Sequence, residues 1–169
     1  MNAPSLLNYI QIRNDFKAGD IGYIIYLHGQ LYSKEYDYST SFENYVAAGL
    51  SEFYRDYNPE KDKIWICEHD HKIVGFILAV HRQNDIVQLR YFILLPEYRG
   101  IGLGRKLMLS FIDFMYEKKY KSAYLWTTHE QVAAASLYRK FGFVLTEEKE
   151  STAFGKPVTE QRYDFSLSH

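Results

Sequence analysis

Within 169 residues there is one cysteine and no apolar run long enough to cross a membrane, and the 20 lysines and arginines nearly cancel the 21 aspartates and glutamates. Each shortage removes a class of protein. Cys67 alone cannot close an internal disulfide, so no disulfide framework staples the fold. Without an apolar stretch of about 20 residues, no membrane-spanning helix is expected. A net charge of −1 supplies neither the basic footprint of a nucleic-acid binder nor a strongly acidic surface for cationic partners. Met1-Asn2-Ala3-Pro4 lacks the basic and then apolar character of a secretory leader, which makes a cytoplasmic location the default expectation. What is present is core material: 47% hydrophobic and 24% charged residues suit one folded domain over residues 1–169, with no repeat, linker or low-complexity segment.

Hydrophobic periodicity and turn residues give the order of elements. Tyr9–Arg13 alternates like a short strand. Asp20 can cap a helix through about Tyr32, and Thr40-x-x-Glu43 reads as a capping box for a second helix ending near Asn58-Pro59. Three strand-like runs follow, Ile64–Glu68, Ile73–Val80 and Ile86–Leu95, separated by the turns Asp70-His71-Lys72 and Arg82–Asp85. After a glycine-rich turn, Leu103, Leu107, Phe111, Phe114 and Met115 supply one apolar helix face, with Lys118, Lys119 and Lys121 near its C-terminal end. A strand at Ala123–Thr127, a helix from about Val132 to Phe141 ending at Gly142, and strands near Phe143–Glu148 and Val158–Leu167 complete the order β-α-α-β-β-β-α-β-α-β-β.

Residues 94–105, Leu-Leu-Pro-Glu-Tyr-Arg-Gly-Ile-Gly-Leu-Gly-Arg, carry the clearest chemistry. A strand runs out at Pro96, and Gly100, Gly102 and Gly104 remove the side chains that would keep a ligand off the backbone just where a helix begins. Consecutive N–H groups at the positive end of a helix make an anion site. A dinucleotide fingerprint would need G-x-G-x-x-G close after the first strand, and a nucleotide P-loop would need Gly-Lys-Ser/Thr. Here the spacing is G-x-G-x-G after several strands, and Arg105-Lys106 follows Gly104. A purely structural turn is the remaining alternative for the segment taken alone.

Arg99-x-x-Gly102-x-Gly104, with Leu94-x-Pro96 upstream and Ala134-x-x-Leu137-Tyr138-x-Lys140-x-Gly142-Phe143 downstream, resembles the GNAT superfamily of acetyl-CoA-dependent N-acetyltransferases. Over nearly the whole chain, His28-Gly29-x-Leu31-Tyr32-x-x-Glu35-Tyr36, Phe42-Glu43, Leu89-Arg90, Leu125-Trp126-Thr127 and Phe154-Gly155…Gln161 are similar to the acetyltransferase half of bacterial fusion regulators. Those fusions place a MarR-type winged-helix DNA-binding domain ahead of the GNAT domain, and no such domain is expected here. The resemblance implies an α/β (α+β) fold with a mixed, mostly antiparallel sheet of about seven strands flanked by about four helices. It also implies acetyl-CoA as co-substrate, no metal, and a small-molecule or peptide amine as acceptor. Homodimerisation is left open. A non-catalytic acyl-CoA-binding regulatory module is the alternative from another class, and a redox dinucleotide-binding protein a second.

By the same resemblance the strand over Val87–Leu95 is bulged and splays from Ala123–Thr127. Ile93, Leu94 and Leu95 would then contact the pantetheine arm, and the N–H groups of Gly100, Ile101, Gly102, Leu103, Gly104 and Arg105 the pyrophosphate, with Arg99 or Arg105 adding charge. Tyr138 matches the family's tyrosine, which donates a proton to the departing thiolate; on periodicity alone, amphipathic packing is the better account. Ala134 and Leu137 are read as the face of that helix that packs on the sheet. The stretch Gln88-Leu89-Arg90-Tyr91-Phe92 has no acid where many relatives carry a base, which leaves Glu35 and His28 as alternatives for a base, although each reads first as a structural residue. Arg90, in an apolar strand, must meet an anion: an internal partner such as Glu35 or Glu43 is favoured over a substrate carboxylate. Tyr32, Tyr36 and Trp126 could line an amine pocket or simply pack. Cys67, His69 and His71 lack the spacing of a zinc site and read as a strand residue and a solvated turn.

Overall fold

The computed structural model describes residues 5–167, so the reading of Met1–Pro4 as no leader lies outside it. The elements are β1 (Gln11–Arg13), α1 (Asp20–Tyr36), α2 (Thr40–Asp56), β2 (Lys63–His69), β3 (Lys72–Arg82), β4 (Ile86–Leu94), α3 (Leu103–Lys118), β5 (Ser122–Thr128), α4 (Val132–Lys140), β6 (Val144–Ser151) and β7 (Val158–Ser166). They form one seven-stranded sheet in the order β1-β2-β3-β4-β5-β7-β6, antiparallel throughout except for the parallel pair β4–β5. The order is that read from periodicity, and the mixed, mostly antiparallel α/β class is that implied by the resemblance.

Layering follows from strand alternation. Ile64, Ile66, Phe76, Leu78 and Val80 point toward α1 and α2, while Trp65, Cys67, Ile77 and Ala79 join Leu107, Phe111 and Phe114 of α3 on the opposite face. Because β3 is covered on both faces, its run from Ile73 to Val80 is wholly buried and shows no apolar/polar alternation. The two hairpins are tighter than expected. Asp70 and His71 (φ +48° and +62°) form a two-residue left-handed turn, and the second loop has three residues, Gln83, Asn84 and Asp85, the last two left-handed (φ +61° and +57°), so Lys72 and Arg82 belong to β3.

Local capping departs from the sequence expectation at three places. Gly19, at φ +95°, caps α1 instead of Asp20, whose carboxylate accepts from the Lys17 N–H (2.7 Å) and pairs with Arg13 (2.7 Å). α1 also continues one turn further, to Tyr36. At α2 the cap is the Ser39 hydroxyl, which accepts from the Ser41 N–H at 3.2 Å; Glu43 does not close a box but lies against Gly29 of α1, where a Cβ would not fit. Leu6–Tyr9 forms a 3-10 turn, leaving only Gln11–Arg13 as strand.

One irregularity positions the site. Leu78 pairs with Arg90 and Phe76 with Ile93, so Tyr91 and Phe92 together oppose Ile77 alone: β4 is bulged there. Tyr91 sits at φ +58°, a conformation that costs a non-glycine residue about 1–2 kcal/mol. Its ring is held edge-on to His28 (5.9 Å between centroids) and beneath the Arg90 guanidinium (4.6 Å), and its hydroxyl occupies the space a Cβ on Gly49 would need. β4 leaves its other neighbour before the bulge is reached. Pairing with β5 covers only Ile86–Ser122, Val87–Ala123 and Gln88–Tyr124.

Candidate functional site

The splay between β4 and β5 opens a cleft of about 350 Å³ bordered by the glycine turn, Leu94, Gln131 and α4. Gly100 (φ +74°) and Gly102 (φ +93°) take the left-handed conformations that turn the chain into α3. The first helical bond of α3 runs from the Lys106 N–H to Gly102, so the N–H groups of Leu103, Gly104 and Arg105 precede it and have no acceptor within the helix. Gly104 is required by close approach: a Cβ there would stand 3.3 Å from Leu137 and 3.5 Å from Leu94. The turn therefore combines free donors, the helix dipole and an unobstructed backbone.

Of the strand residues expected at this cleft, Ile93 and Leu94 line it and Leu95 does not. The Leu95 N–H is used by Val74 on β3 (2.9 Å), and by alternation Ile93 turns its amide to the same side, which leaves the Leu94 N–H facing the cleft. Arg99 borders the cleft as expected, with its guanidinium engaged. Its Nε donates to the Leu94 carbonyl (3.1 Å), and its two terminal nitrogens form a fork onto the Glu35 carboxylate at 3.1 and 2.8 Å. Glu35, expected as a base or as the partner of Arg90, is thus a latch for the turn, and Arg105 is the exposed cation at the mouth of α3. On α4 the buried side chains are Ala135 and Tyr138, whereas Ala134 and Leu137 border the cleft instead of serving purely as the packed face.

A second pocket, of about 90 Å³, adjoins the first and shares Tyr32, Phe92 and Gln131 as walls. Tyr138 lines it, 4% exposed and set edge-on to Phe92 at 6.2 Å. Burial pushes the Tyr138 phenol well above its ordinary range, so the hydroxyl remains a proton donor. His28 and Trp126, both expected here, line the same pocket. His28 is 1% exposed and its Nδ1 donates to the Ile24 carbonyl (2.8 Å), so the neutral ring keeps an accepting Nε2 with no partner among the described residues. Burial lowers its pKa to about 4. Tyr32 stacks on it at 5.7 Å and its hydroxyl is likewise pushed up by burial, with a smaller contribution from Tyr138.

Arg90 finds no internal carboxylate among the described residues, contrary to the favoured expectation. Its contacts are the Tyr45 hydroxyl at 3.4 Å and the faces of Tyr91 and Tyr45, and it borders this pocket. Sequence reasoning missed Gln131, Thr127 and Glu160. Thr127 carries a buried Oγ1 without a partner among the described residues, and Glu160 is the only carboxylate among the lining residues. The available signal was proximity to quoted motifs, Glu160 lying beside Gln161 and Thr127 beside Trp126. Tyr36 borders the first cleft instead of the second pocket. His69 bonds the Tyr98 hydroxyl (2.9 Å), and burial pushes the Cys67 thiol up to about 12, leaving it a core residue.

Chemically, the arrangement joins an anion-ready backbone to a polar, aromatic pocket through a wall that ends at a buried phenol. A model of the Acetyltransferase (GNAT) family matches residues 29–143, a span that contains both motifs. The chain belongs to the GNAT acetyltransferase family. Its GNAT fold is similar to that of an acetyltransferase from Staphylococcus aureus Mu50, at TM-score 0.78 and 19% identity over 94% of this chain and 99% of that one. It is similar too to YncA of Salmonella typhimurium, a putative acetyltransferase solved with its cofactor acetyl-CoA, at TM-score 0.69 and 19% identity over 96% of each chain. In sequence it is 32% identical over 109 residues to the uncharacterized N-acetyltransferase YjgM of Escherichia coli K12, covering 62% of this chain and 65% of that protein. It is 32% identical over 80 residues to N-acetylaspartate synthetase of Xenopus tropicalis, covering 47% of this chain and 30% of that protein. The chain thus spans just under two thirds of the first relative's length and less than a third of the second's.

Proposed function

We propose that residues 1–169 form one N-acetyltransferase domain that moves the acetyl group of acetyl-CoA to a primary amine of a small molecule or peptide. The single observation that carries this reading is the meeting of two cavities at Tyr32, Phe92 and Gln131, one floored by the glycine turn and the other lined by the Tyr138 hydroxyl. The family's name and the acetyl-CoA bound in YncA support it. The residues present fit the coenzyme: the free N–H groups at the start of α3 suit a pyrophosphate, the missing side chain at Gly104 leaves room beside Leu137, and Leu94 offers a backbone edge for an amide-bearing arm. Arg105 adds charge at the mouth, and Arg99 adds it only when it exchanges Glu35 for the ligand. Acetyl-CoA supplies the thioester that the amine attacks.

The chain's part is placement and proton handling. Tyr138 donates to the leaving sulfur, and the raised phenol pKa keeps that proton available. His28 Nε2 accepts a hydrogen bond from the acceptor without competing for its proton, and the Arg90 fork receives a carboxylate where the acceptor has one. The residues that carried the likeness to the acetyltransferase halves of MarR-type fusions support a common acceptor site: His28, Tyr32, Phe42, Arg90, Trp126 and Phe154 all line this pocket.

The testing experiment titrates acetyl-CoA, free coenzyme A and NAD, then measures thiol release with amino acids, their decarboxylated amines, polyamines, aminoglycosides and short peptides. Binding of both coenzyme forms with amine-dependent thiol release is expected. Preferential binding of NAD overturns the reading, and coenzyme binding without thiol release from any amine makes the domain a regulatory module.

A further inference from the structure

The stretch of β4 leading to the bulge contains no acid, and its lone arginine borders the acceptor pocket as a permanent cation, so the group that receives the acceptor's proton must come from elsewhere. We propose that Glu160 of β7 is that group: its carboxylate binds the acceptor ammonium and takes its proton. The proposal rests on the N-acetyltransferase reading and names the residue that makes the amine nucleophilic.

Register places Glu160 on the correct face. It pairs with Thr128 of β5 and with Lys149 of β6, and cross-strand partners share a side of the sheet. Thr128 is bonded by the Tyr38 hydroxyl (2.7 Å) from the α1–α2 connection, so this is the face those helices cover. Phe154, whose carbonyl accepts from the Ser39 N–H (2.9 Å), closes the pocket from the β6–β7 loop. Glu160 is half-buried in that wall.

Its charge is not spoken for. Lys149 lays its ammonium over the Trp126 ring at 4.5 Å, Lys156 is held by Glu130 (2.7 Å) and the Tyr36 carbonyl (2.9 Å), and Arg162 is held by Asp164 (2.9 Å). The neighbouring acids are engaged: Glu148 accepts from Gln161 and Glu150 from Thr159. The other ionisable groups facing the pocket are unsuited to the task. Arg90 is a permanent cation, burial leaves His28 too weak a base, Tyr32, Tyr91 and Tyr138 stay protonated, and Tyr45 sits at the exposed rim.

The protons balance. Glu160 takes one from the acceptor's ammonium; the amine lone pair then forms the C–N bond to the thioester carbonyl carbon as the C–S bond breaks. Tyr138 gives its proton to the departing sulfur and regains one from the new amide nitrogen, and Glu160 releases its proton to water, one per turnover.

The experiment compares wild type, Glu160→Gln and Glu160→Asp in thiol release from pH 6 to pH 10, using the most active amine of the panel above. Glu160→Gln is expected to lower kcat/KM by about 100-fold at pH 7. The deficit should shrink steadily toward pH 10, where a growing share of a simple amine arrives already deprotonated. Glu160→Asp keeps a carboxylate and should recover at least about a tenth of the wild-type rate. A deficit equal at every pH, an unchanged Gln variant, or an Asp variant no better than Gln overturns the base role while leaving acetyl transfer intact. A wild type that binds acetyl-CoA but releases no thiol overturns the transfer reading, and the base role falls with it.

Discussion

The two cavities that meet at Tyr32, Phe92 and Gln131 are made in opposite ways. The proposed coenzyme cleft is floored by one contiguous stretch, residues 94–105, and walled by α4 and by Tyr32, Glu35 and Tyr36 of α1; the determinants of its floor are absent side chains and free N–H groups. The acceptor pocket draws side chains from α1, α2, β4, β5, α4, β7 and the β6–β7 loop, and its determinants are an imidazole, a guanidinium, a carboxylate and a wall of aromatic rings. β4 serves both. Its pairing with β5 stops at Gln88, the bulge at Tyr91 and Phe92 follows within the unpaired stretch, and Phe92 walls both cavities. A site for an invariant cofactor can be built from backbone, which every sequence possesses; a site that distinguishes one amine from another needs side chains.

The contrast can be broken most sharply at the partition. Tyr138→Phe keeps the ring packed against Phe92 and removes only the donor, so acetyl transfer should fall by about 100-fold or more while acetyl-CoA affinity stays within about twofold. Rapid-mixing measurement of the transfer step decides it, and an unchanged rate constant dismisses the acid role. On the backbone side, Gly102→Val forces a β-branched residue into φ +93° at the start of α3. Relieving that strain moves the turn and misaligns the N–H groups of Leu103, Gly104 and Arg105, so a roughly tenfold loss of acetyl-CoA affinity is expected, with turnover at saturating coenzyme largely kept. Isothermal titration of the folded variant tests this; undiminished affinity removes the turn from the coenzyme site. The smallest effect is the most selective. Arg90→Met should raise KM about tenfold for amines carrying a nearby carboxylate and leave their decarboxylated counterparts unchanged. If both classes shift together, or neither does, Arg90 supports Tyr91 and reads no substrate.

The pair Glu35 and Arg99 shows what motif spacing leaves out. Arg99 borders the coenzyme cleft, as its motif implies, whereas Glu35, expected at the acceptor, borders that same cleft although it lies 64 residues away in sequence. In the folded chain they bond to each other across the mouth of the coenzyme cleft. Arg99 is 44% exposed on its side chain, so the pair contributes at most about 1 kcal/mol and can open for a ligand. Glu160 escaped for the converse reason. It sits in a polar strand, Thr159-Glu160-Gln161-Arg162, beside the charged strand Glu147-Glu148-Lys149-Glu150, and only the β5–β7–β6 register sets it opposite Thr128 at the pocket.

The order of strands and helices, the anion-ready turn and Tyr138 as a candidate donor were determined by the sequence itself, since periodicity, glycine spacing and motif are local quantities set by backbone sterics and by which face of an element must be buried. Tertiary structure alone decided the left-handed bulge at Tyr91, the Arg99–Glu35 latch, the unpaired Arg90 and the convergence of His28, Thr127 and Glu160 on one pocket. Each of these depends on which distant residues a register and a splay bring within a few ångströms. Nothing in the spacing of residues along a chain encodes that distance.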